Sequence, residues 1–445
     1  MLKRKIDSFL TEWKNSKNHK PLIISGARQV GKTTSIKEFG KSYKCFIEIN
    51  FKLNPSLKNI FKNSFECKDV IKEISLNFPE KEIIENDTLI LFDEIQDYPD
   101  AVTSLKSFAI DGRFDVICSG SLLGISYKQI NSIPVGFKED YLMHGMDFEE
   151  FLWALGYTSK QIDDIYEKLK ELEPLSTNEF EVLSKAFNDY LFVGGMPEAT
   201  SEFIQNRNFG SVFKIHSRIY KDYEDDITKY VEGLSAAKVK NMYRHIGSQL
   251  AKDNHKYQIS KLGHGARARD YVGCEEWLKD AGIINIGYCL NNLSIPLSNE
   301  LDFNNYRIYY EDHSLFIASL DEESKRDLIM NGNYDIYSGS LYESIVSESL
   351  ISQGYKLYFY KNNDATVELD FVIRSKNEIV PIEVKRNRGR SKSLRAVIND
   401  KDINIKKGIK LANQNIGFDG DILTIPYFLS FLIKRFLEES NITSW

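Results

Sequence analysis

The chain of 445 residues has no uninterrupted apolar run near the roughly 20 residues that a membrane-spanning helix needs. No span is expected. The basic start, MLKRK, is not followed by the apolar core of a secretory signal. A cytoplasmic location is the default expectation. Cysteine is scarce and scattered, at Cys45, Cys67, Cys118, Cys274 and Cys289, and no spacing suggests a zinc site or a redox pair. Cys45, Cys118 and Cys289 lie in apolar runs and read as reduced core thiols. The seven histidines show no ligand spacing either. Positive charge is not in excess: the formal net charge is -6, so any nucleic acid would be met by local basic patches. Internal repeats and low-complexity tracts are absent as well.

What the chain does have is one organising stretch, Leu22-Ile23-Ile24-Ser25-Gly26-Ala27-Arg28-Gln29-Val30-Gly31-Lys32-Thr33-Thr34. An apolar run ends in a glycine, four residues follow, and Gly-Lys-Thr comes next. That is a phosphate-cradling loop in its proper context, strand before and helix after. Gly26 and Gly31 let the backbone curl so that several N–H groups face one anion. The helix starting near Lys32 adds the positive end of its dipole. Lys32 is expected to reach the β- and γ-phosphates of ATP, and the Thr33 hydroxyl to take one position on Mg²⁺.

A second stretch, Thr88-Leu89-Ile90-Leu91-Phe92-Asp93-Glu94, is a buried strand ended by two acids. Asp93 is expected to hold Mg²⁺ through water opposite Thr33, and Glu94 to accept a proton from the attacking water. A third strand, Asp115–Cys118, runs into Ser119-Gly120-Ser121. Ser121 is the first choice for a hydroxyl beside the γ-phosphate, with Ser119 next. A small-residue turn is the plainer reading of both.

Strands alternating with helices over residues 1–155 predict a parallel α/β sheet with ligand chemistry at the carboxyl ends of its strands. Residues 156–235 read as a helical lid region. Residues 236–330 read as winged-helix-like: a helix over AAKVKNMYRHIGSQLA, a short helix at Ile259–Gly263, a longer one over ARARDYVGCEEWLKDAGII, then a strand pair. Lys261, His264, Arg267 and Arg269 there are placed to meet phosphates, or the region is an intramolecular packing module. Residues 331–445 read as a second, smaller α/β domain.

That last domain carries Glu343 on a helix, Glu368-Leu369-Asp370 at a strand start and Glu383-Val384-Lys385 on the next strand. Alternation puts Glu383 and Lys385 on one face, and a hairpin would bring Asp370 beside them. Three carboxylates around one Mg²⁺, with a lysine next to a water, form a phosphodiesterase constellation. The basic run Arg386, Arg388, Arg390, Lys392 and Arg395 would then hold a nucleic-acid backbone. The alternative is a salt-bridge cluster on an edge strand with a solvated basic loop.

The motifs GARQVGKTT, TLILFDEIQ, ICSGSLLG, PVGFKEDYLMHGMDFEEFL and YLFVGGMPEA resemble the AAA-type P-loop ATPases of bacteria and archaea that carry a C-terminal DUF4143-type region. The resemblance implies ATP hydrolysis and homo-oligomerisation. Relatives usually carry an arginine after the Pro-Val-Gly segment, where this chain has Phe137-Lys138. No residue is assigned as an arginine finger. The C-terminal acids resemble a PD-(D/E)xK nuclease fold, with Glu343, Asp370, Glu383 and Lys385 matching its helix acid, strand acid and ExK. Its usual proline is replaced by Leu369. Two functions follow as expectations. One is an ATPase whose nucleotide-driven change is coupled to a DNA-directed, metal-dependent nuclease-like domain. The other is an ATP-driven protein-binding switch with a catalytically silent C-terminal fold.

Overall fold

The computed structural model describes residues 1–121, 134–252, 256–330, 338–362, 364, 366–385, 389 and 391–440. The chain forms two compact units, residues 1–145 with 280–282, and residues 146–279 with 283–445. Among the described residues no helix is long and apolar enough to cross a membrane. All five cysteines are buried and free, as core thiols should be.

The first unit runs α1 (Lys5–Asn15), β1 (Leu22–Gly26), α2 (Lys32–Gly40), β2 (Cys45–Asn50), α3 (Cys67–Asn77), β3 (Thr88–Asp93), α4 (Leu105–Asp111), β4 (Asp115–Ser121) and β5 (Glu139–Leu142). Its sheet has the order β2-β3-β4-β1-β5, and every pairing is parallel. Helices must therefore cover the faces, which is why β1 to β4 are largely apolar and buried, while the edge strand β5 is half-buried. Every residue of β3 is buried. Ile23, Ile47, Ile49, Ile90, Phe92 and Phe108 belong to one core. The register pairs Asn50 with Asp93, Asp93 with Ser119, and Gly26 with Ser121. The polar strand ends thus line up along one edge, where a parallel sheet presents its ligand chemistry.

The second unit opens with α5 (Phe148–Ala154), α6 (Ser159–Lys170), α7 (Thr177–Val193), α8 (Pro197–Asn206) and α9 (Phe209–Tyr230). Three of these helices start with reciprocal capping boxes, Asp147 with Glu150, Thr158 with Gln161, and Ser176 with Glu179. Each box satisfies two N–H groups that the first turn cannot pair, worth about 1 kcal/mol. The α7–α8 turn needs glycine for a steric reason. A Cβ on Gly195 would lie 2.3 Å from the Met146 carbonyl oxygen. In its place the Gly195 N–H donates to Asp312 Oδ2 at 2.8 Å.

Then come α10 (Ala236–Leu250), α11 (Cys274–Asp280), β6 (Ile284–Leu290), β7 (Leu301–Tyr310), α12 (His313–Ser319), α13 (Glu322–Met330), α14 (Ser338–Ser352) and β8 (Tyr358–Lys361). The rest is β9 (Glu368–Leu369), β10 (Phe371–Ser375), β11 (Glu378–Lys385), α15 (Lys392–Ile398), β12 (Gly408–Ala412), β13 (Gly417–Asp419), β14 (Ile422–Pro426) and α16 (Ile433–Glu439). One sheet has the order β7-β6-β8-β9 and the other β10-β11-β12-β14-β13.

Three details differ from the sequence expectations. The two helices expected over residues 259–283 are reduced to 3₁₀ turns at Ile259–Lys261 and Ala268–Asp270, plus α11. Gly263, Gly265 and Gly273 take positive φ between these pieces and interrupt helix growth. The pair β6–β7 does not stand alone as a wing: β6 also pairs in parallel with β8, beyond the boundary expected at 330/331. The single strand expected from Glu368 to Arg374 is split at Asp370. Its first half joins β8 and its second half joins β11, so Asp370 sits where the chain changes sheets.

Candidate functional site

The phosphate loop is built by a backbone that turns against its usual preference. Gly31 (φ 96°) and Gln29 (φ 64°) are both left-handed, and a Cβ on Gly26 would lie 2.1 Å from the Met143 carbonyl oxygen. Such a curl aims successive N–H groups inward. Ala27 and Val30 anchor the loop in the core, Arg28 and Gln29 are half-buried, and Thr34 is exposed on the first turn of α2. The Lys32 ammonium folds back on its own loop, donating to Gly26 O at 3.0 Å and Ala27 O at 2.7 Å. Burial pushes its pKa down to about 8, against the pull of Glu94 and Asp93. A buried ammonium resting on weak neutral acceptors is poised to exchange them for phosphate oxygens.

Opposite it, Thr33 Oγ1 donates to Asp93 Oδ1 at 3.1 Å. Asn50 Nδ2 donates to Asp93 Oδ2 at 2.9 Å. Burial, together with the charge of Glu94, raises the Asp93 carboxyl above its ordinary range, while the hydroxyls of Thr33 and Ser119 hold it down. A hard divalent cation would reverse that rise and takes hydroxyl and carboxylate oxygens readily. Thr33 and Asp93 therefore fit Mg²⁺, whose other positions go to phosphate and water. Glu94 follows with left-handed backbone (φ 56°), and Gln96 Nε2 donates to its carboxylate. Ser121 is buried beside Gly26, and its Oγ has no hydrogen-bond partner among the described residues. Ser119, the second choice, instead serves Asp93. The structure brings all the sequence-predicted nucleotide residues to one edge of one sheet. Lys138, at the position where relatives carry arginine, is paired with Asp140.

The C-terminal acids are also near one another, but each has a partner. Glu343 Oε2 accepts from Arg307 Nη1 at 3.4 Å and from the Tyr309 hydroxyl at 3.3 Å. Asp370 Oδ2 accepts the Val384 N–H at 2.7 Å. Lys385 Nζ lies 2.8 Å from Glu383 Oε1. Full burial and the charge of Glu343 push Asp370 up to about 7, while Arg307 pulls it down. Glu383 Oε2 is buried without a hydrogen-bond partner among the described residues. Among those residues, however, no three His, Cys, Asp or Glu side chains gather so as to hold a metal ion. As a ligand set, Glu343, Asp370 and Glu383 do not fit one metal here, because Arg307 stands among them with its guanidinium also on Glu368. Arg386, Arg388 and Arg390 of the basic run lie outside the described residues.

Sequence reasoning missed four contributors. Asn50 holds the Asp93 carboxylate by a hydrogen bond; its signal in the sequence was a polar residue ending an apolar strand. Gln96 holds Glu94. Arg4, almost fully buried, donates to Val30 O at 2.6 Å and His144 O at 2.8 Å, bracing the phosphate loop from the N-terminus. In the sequence it is one of several basic residues of the N-terminal MLKRK. Arg307 had a signal: one arginine inside the apolar strand Tyr306–Tyr310.

Residues 18–152 match the profile of an AAA domain. Residues 184–326 match a domain of unknown function, DUF8612, and residues 338–428 another, DUF4143. The DUF8612 match runs through the 235/236 boundary expected between lid and winged helix. No curated protein matches the chain. Among solved structures, a Walker-type ATPase of Pyrococcus abyssi is similar at 14% identity, covering 72% of this chain and 96% of that one, with a TM-score of 0.42. The ORC1 protein of Aeropyrum pernix, solved in complex with DNA, is similar at 12% identity over 73% of this chain and 93% of that one, with a TM-score of 0.28. The ORC2 protein of the same organism, in its ADP form, has 12% identity over 73% and 92%, with a TM-score of 0.30. Residues 18–152 are thus an AAA domain on a parallel P-loop NTPase sheet, and residues 338–428 are a DUF4143 region.

Proposed function

We propose that the protein binds Mg-ATP at the loop Gly26–Thr34 and hydrolyses it, and that turnover is coupled to nucleic-acid engagement by the C-terminal region. The observation that carries the first half is the buried Lys32 ammonium on the carbonyls of Gly26 and Ala27. Its loop begins on β1, separated by β4 from β3, which bears Asp93. Lys32 binds the β- and γ-phosphates, Thr33 and Asp93 hold the magnesium, and Glu94 takes the proton of the attacking water. Magnesium supplies neutralisation of charge on the phosphates. Ser121 faces the γ-phosphate and distinguishes ATP from ADP. Homo-oligomerisation belongs to the same proposal. So does a cytoplasmic location.

The second half rests on the Glu383–Lys385 strand and the cations that follow it. The alternative, a protein-binding switch with a silent C-terminal fold, is favoured by one observation, the Arg307 guanidinium on Glu343. Two assays test both halves on the full chain. ATP turnover is measured with and without DNA, and DNA is incubated with Mg²⁺ or Mn²⁺ and the product chains are sized. Turnover stimulated by DNA supports the coupling. Turnover indifferent to DNA, with no binding and no cutting, leaves the switch. Cutting that disappears in Glu383→Ala and Lys385→Ala would favour the nuclease-like reading over the switch.

A further inference from the structure

The face of the C-terminal sheet that carries Glu383 continues beyond it. Glu383 on β11 is in register with Lys410 on β12, and Lys410 with Thr424 on β14. Paired residues in parallel strands point to the same side, so the three form one polar row. Beside this row is a cavity of about 480 Å³ lined by Lys410, Thr424, Ser391, Lys392, Arg395 and Asp419 together with Gly389 and Ile422. The cavity is built rather than incidental. Lys410, 8% exposed, is aimed by hydrogen bonds from its Nζ to Gly389 O at 3.0 Å and Gln414 Oε1 at 2.7 Å. Ser391 is 6% exposed, and its Oγ has no hydrogen-bond partner among the described residues. A hydroxyl left this way costs about 1–3 kcal/mol unless something fills its site.

Charge decides what fills it. Of the acids nearby, Glu383 is matched by Lys385 and Asp419 by Arg395. Lys392 and Lys410 then leave the pocket positive. Among the described residues the lining includes no aromatic ring on which a base could stack, and one apolar side chain, Ile422. Such a pocket recognises phosphate and not bases. Its Lys410 stands on the strand that pairs with the strand of Lys385.

We propose that the pocket of Ser391, Lys392, Arg395 and Lys410 grips a backbone phosphate of nucleic acid, independently of sequence. The proposal rests on the nucleic-acid half of the reading above and names its subsite. Its test is the affinity of the full-length protein for labelled single strands and duplexes of two unrelated sequences, across a salt series. Wild type, the double variant Lys392→Gln/Arg395→Gln, and Lys410→Met are compared, with thermal melts as the check on folding. The double variant changes only exposed side chains, so it remains informative if Lys410→Met melts early. The expected result is a loss of about 3- to 30-fold at fixed salt, equal for both sequences, with the salt slope on duplex shallower by about 0.9 for each phosphate no longer neutralised. Orthophosphate should displace nucleic acid from wild type beyond chloride of the same ionic strength. Variants that bind nucleic acid like wild type overturn the pocket and leave the wider reading standing. A pocket that takes orthophosphate while nucleic-acid affinity ignores the substitutions also overturns it. A wild-type protein that binds no nucleic acid overturns both.

Discussion

Lys32 is the residue on which the nucleotide account turns, and its environment makes a testable statement about protons. In the free protein burial lowers its pKa to about 8. Bound phosphates raise it, because negative charge favours the ammonium. Binding ATP should therefore take up a proton at pH 8.5–9 and none attributable to Lys32 near pH 6.5. Calorimetry in two buffers of different ionisation enthalpy reads this directly; equal apparent enthalpies at pH 9 would contradict it. Lys32→Ala should weaken ATP binding by about 10- to 100-fold, the worth of a charge-assisted hydrogen bond of roughly 1.5–3 kcal/mol. Glu94→Gln should bind ATP within about threefold of wild type yet turn over about 10²- to 10⁴-fold more slowly, the usual share of a positioned proton acceptor. Loss of binding and turnover together in Glu94→Gln would deny it that role. The loop around Lys32 and the Asp93-Glu94 strand end were legible because each is a compact local motif of its own. Asn50, Arg4 and Arg307 act across 43, 26 and 36 positions on Asp93, Val30 and Glu343, and no local pattern encodes such a reach.

At the scale of elements, the helices of the second unit are held by a buried polar joint. His313 at the start of α12 lies 2.9 Å from Glu348 of α14 through Nδ1, and its Nε2 is 3.1 Å from the Tyr190 carbonyl of α7. Burial works against the imidazolium, but Glu348 outweighs it and lifts His313 to about 9. Burial likewise raises the Glu348 carboxyl, against the pull of the His313 charge. Both folded-state values exceed their unfolded ones, so the folded state binds more protons over this window and stability falls as pH rises. The contribution of His313 is complete below about pH 6.5 and is lost by about pH 9. The melting temperature should therefore drop between pH 7 and pH 9, and by less in Glu348→Gln. A wild-type melt that is flat across that window would argue against the joint. Gly195→Ala should destabilise by about 1–3 kcal/mol through overpacking against Met146 O, read as a lower melting temperature. Strands β1, β3 and β4 were legible to within a few residues because each contains a short apolar run. The 259–273 segment was not, since its polar and apolar spacing is helical while its glycines break the helix. The split at Asp370 was hidden for a different reason: a strand that changes partners keeps its alternation.

At the scale of the molecule, two compact units share one chain, with the nucleotide edge in the first and the acidic and basic C-terminal surfaces in the second. The AAA domain and the DUF4143 region were legible in their motifs. The continuity of β6 with β8 was not, because parallel pairing joins residues such as Tyr288 and Tyr358, far apart in the chain, without a local signature. Should the two units work together, DNA should raise ATP turnover in wild type, and Lys392→Gln/Arg395→Gln should lose that stimulation. The central claim is nearer the beginning of the chain, and one measurement reaches it. Titrating the purified, folded protein with ATP in the presence of magnesium, by calorimetry, should give saturable binding at about one site per chain. That binding should be lost or severely weakened in Lys32→Ala. A folded wild-type protein that takes up no ATP under those conditions would contradict the account.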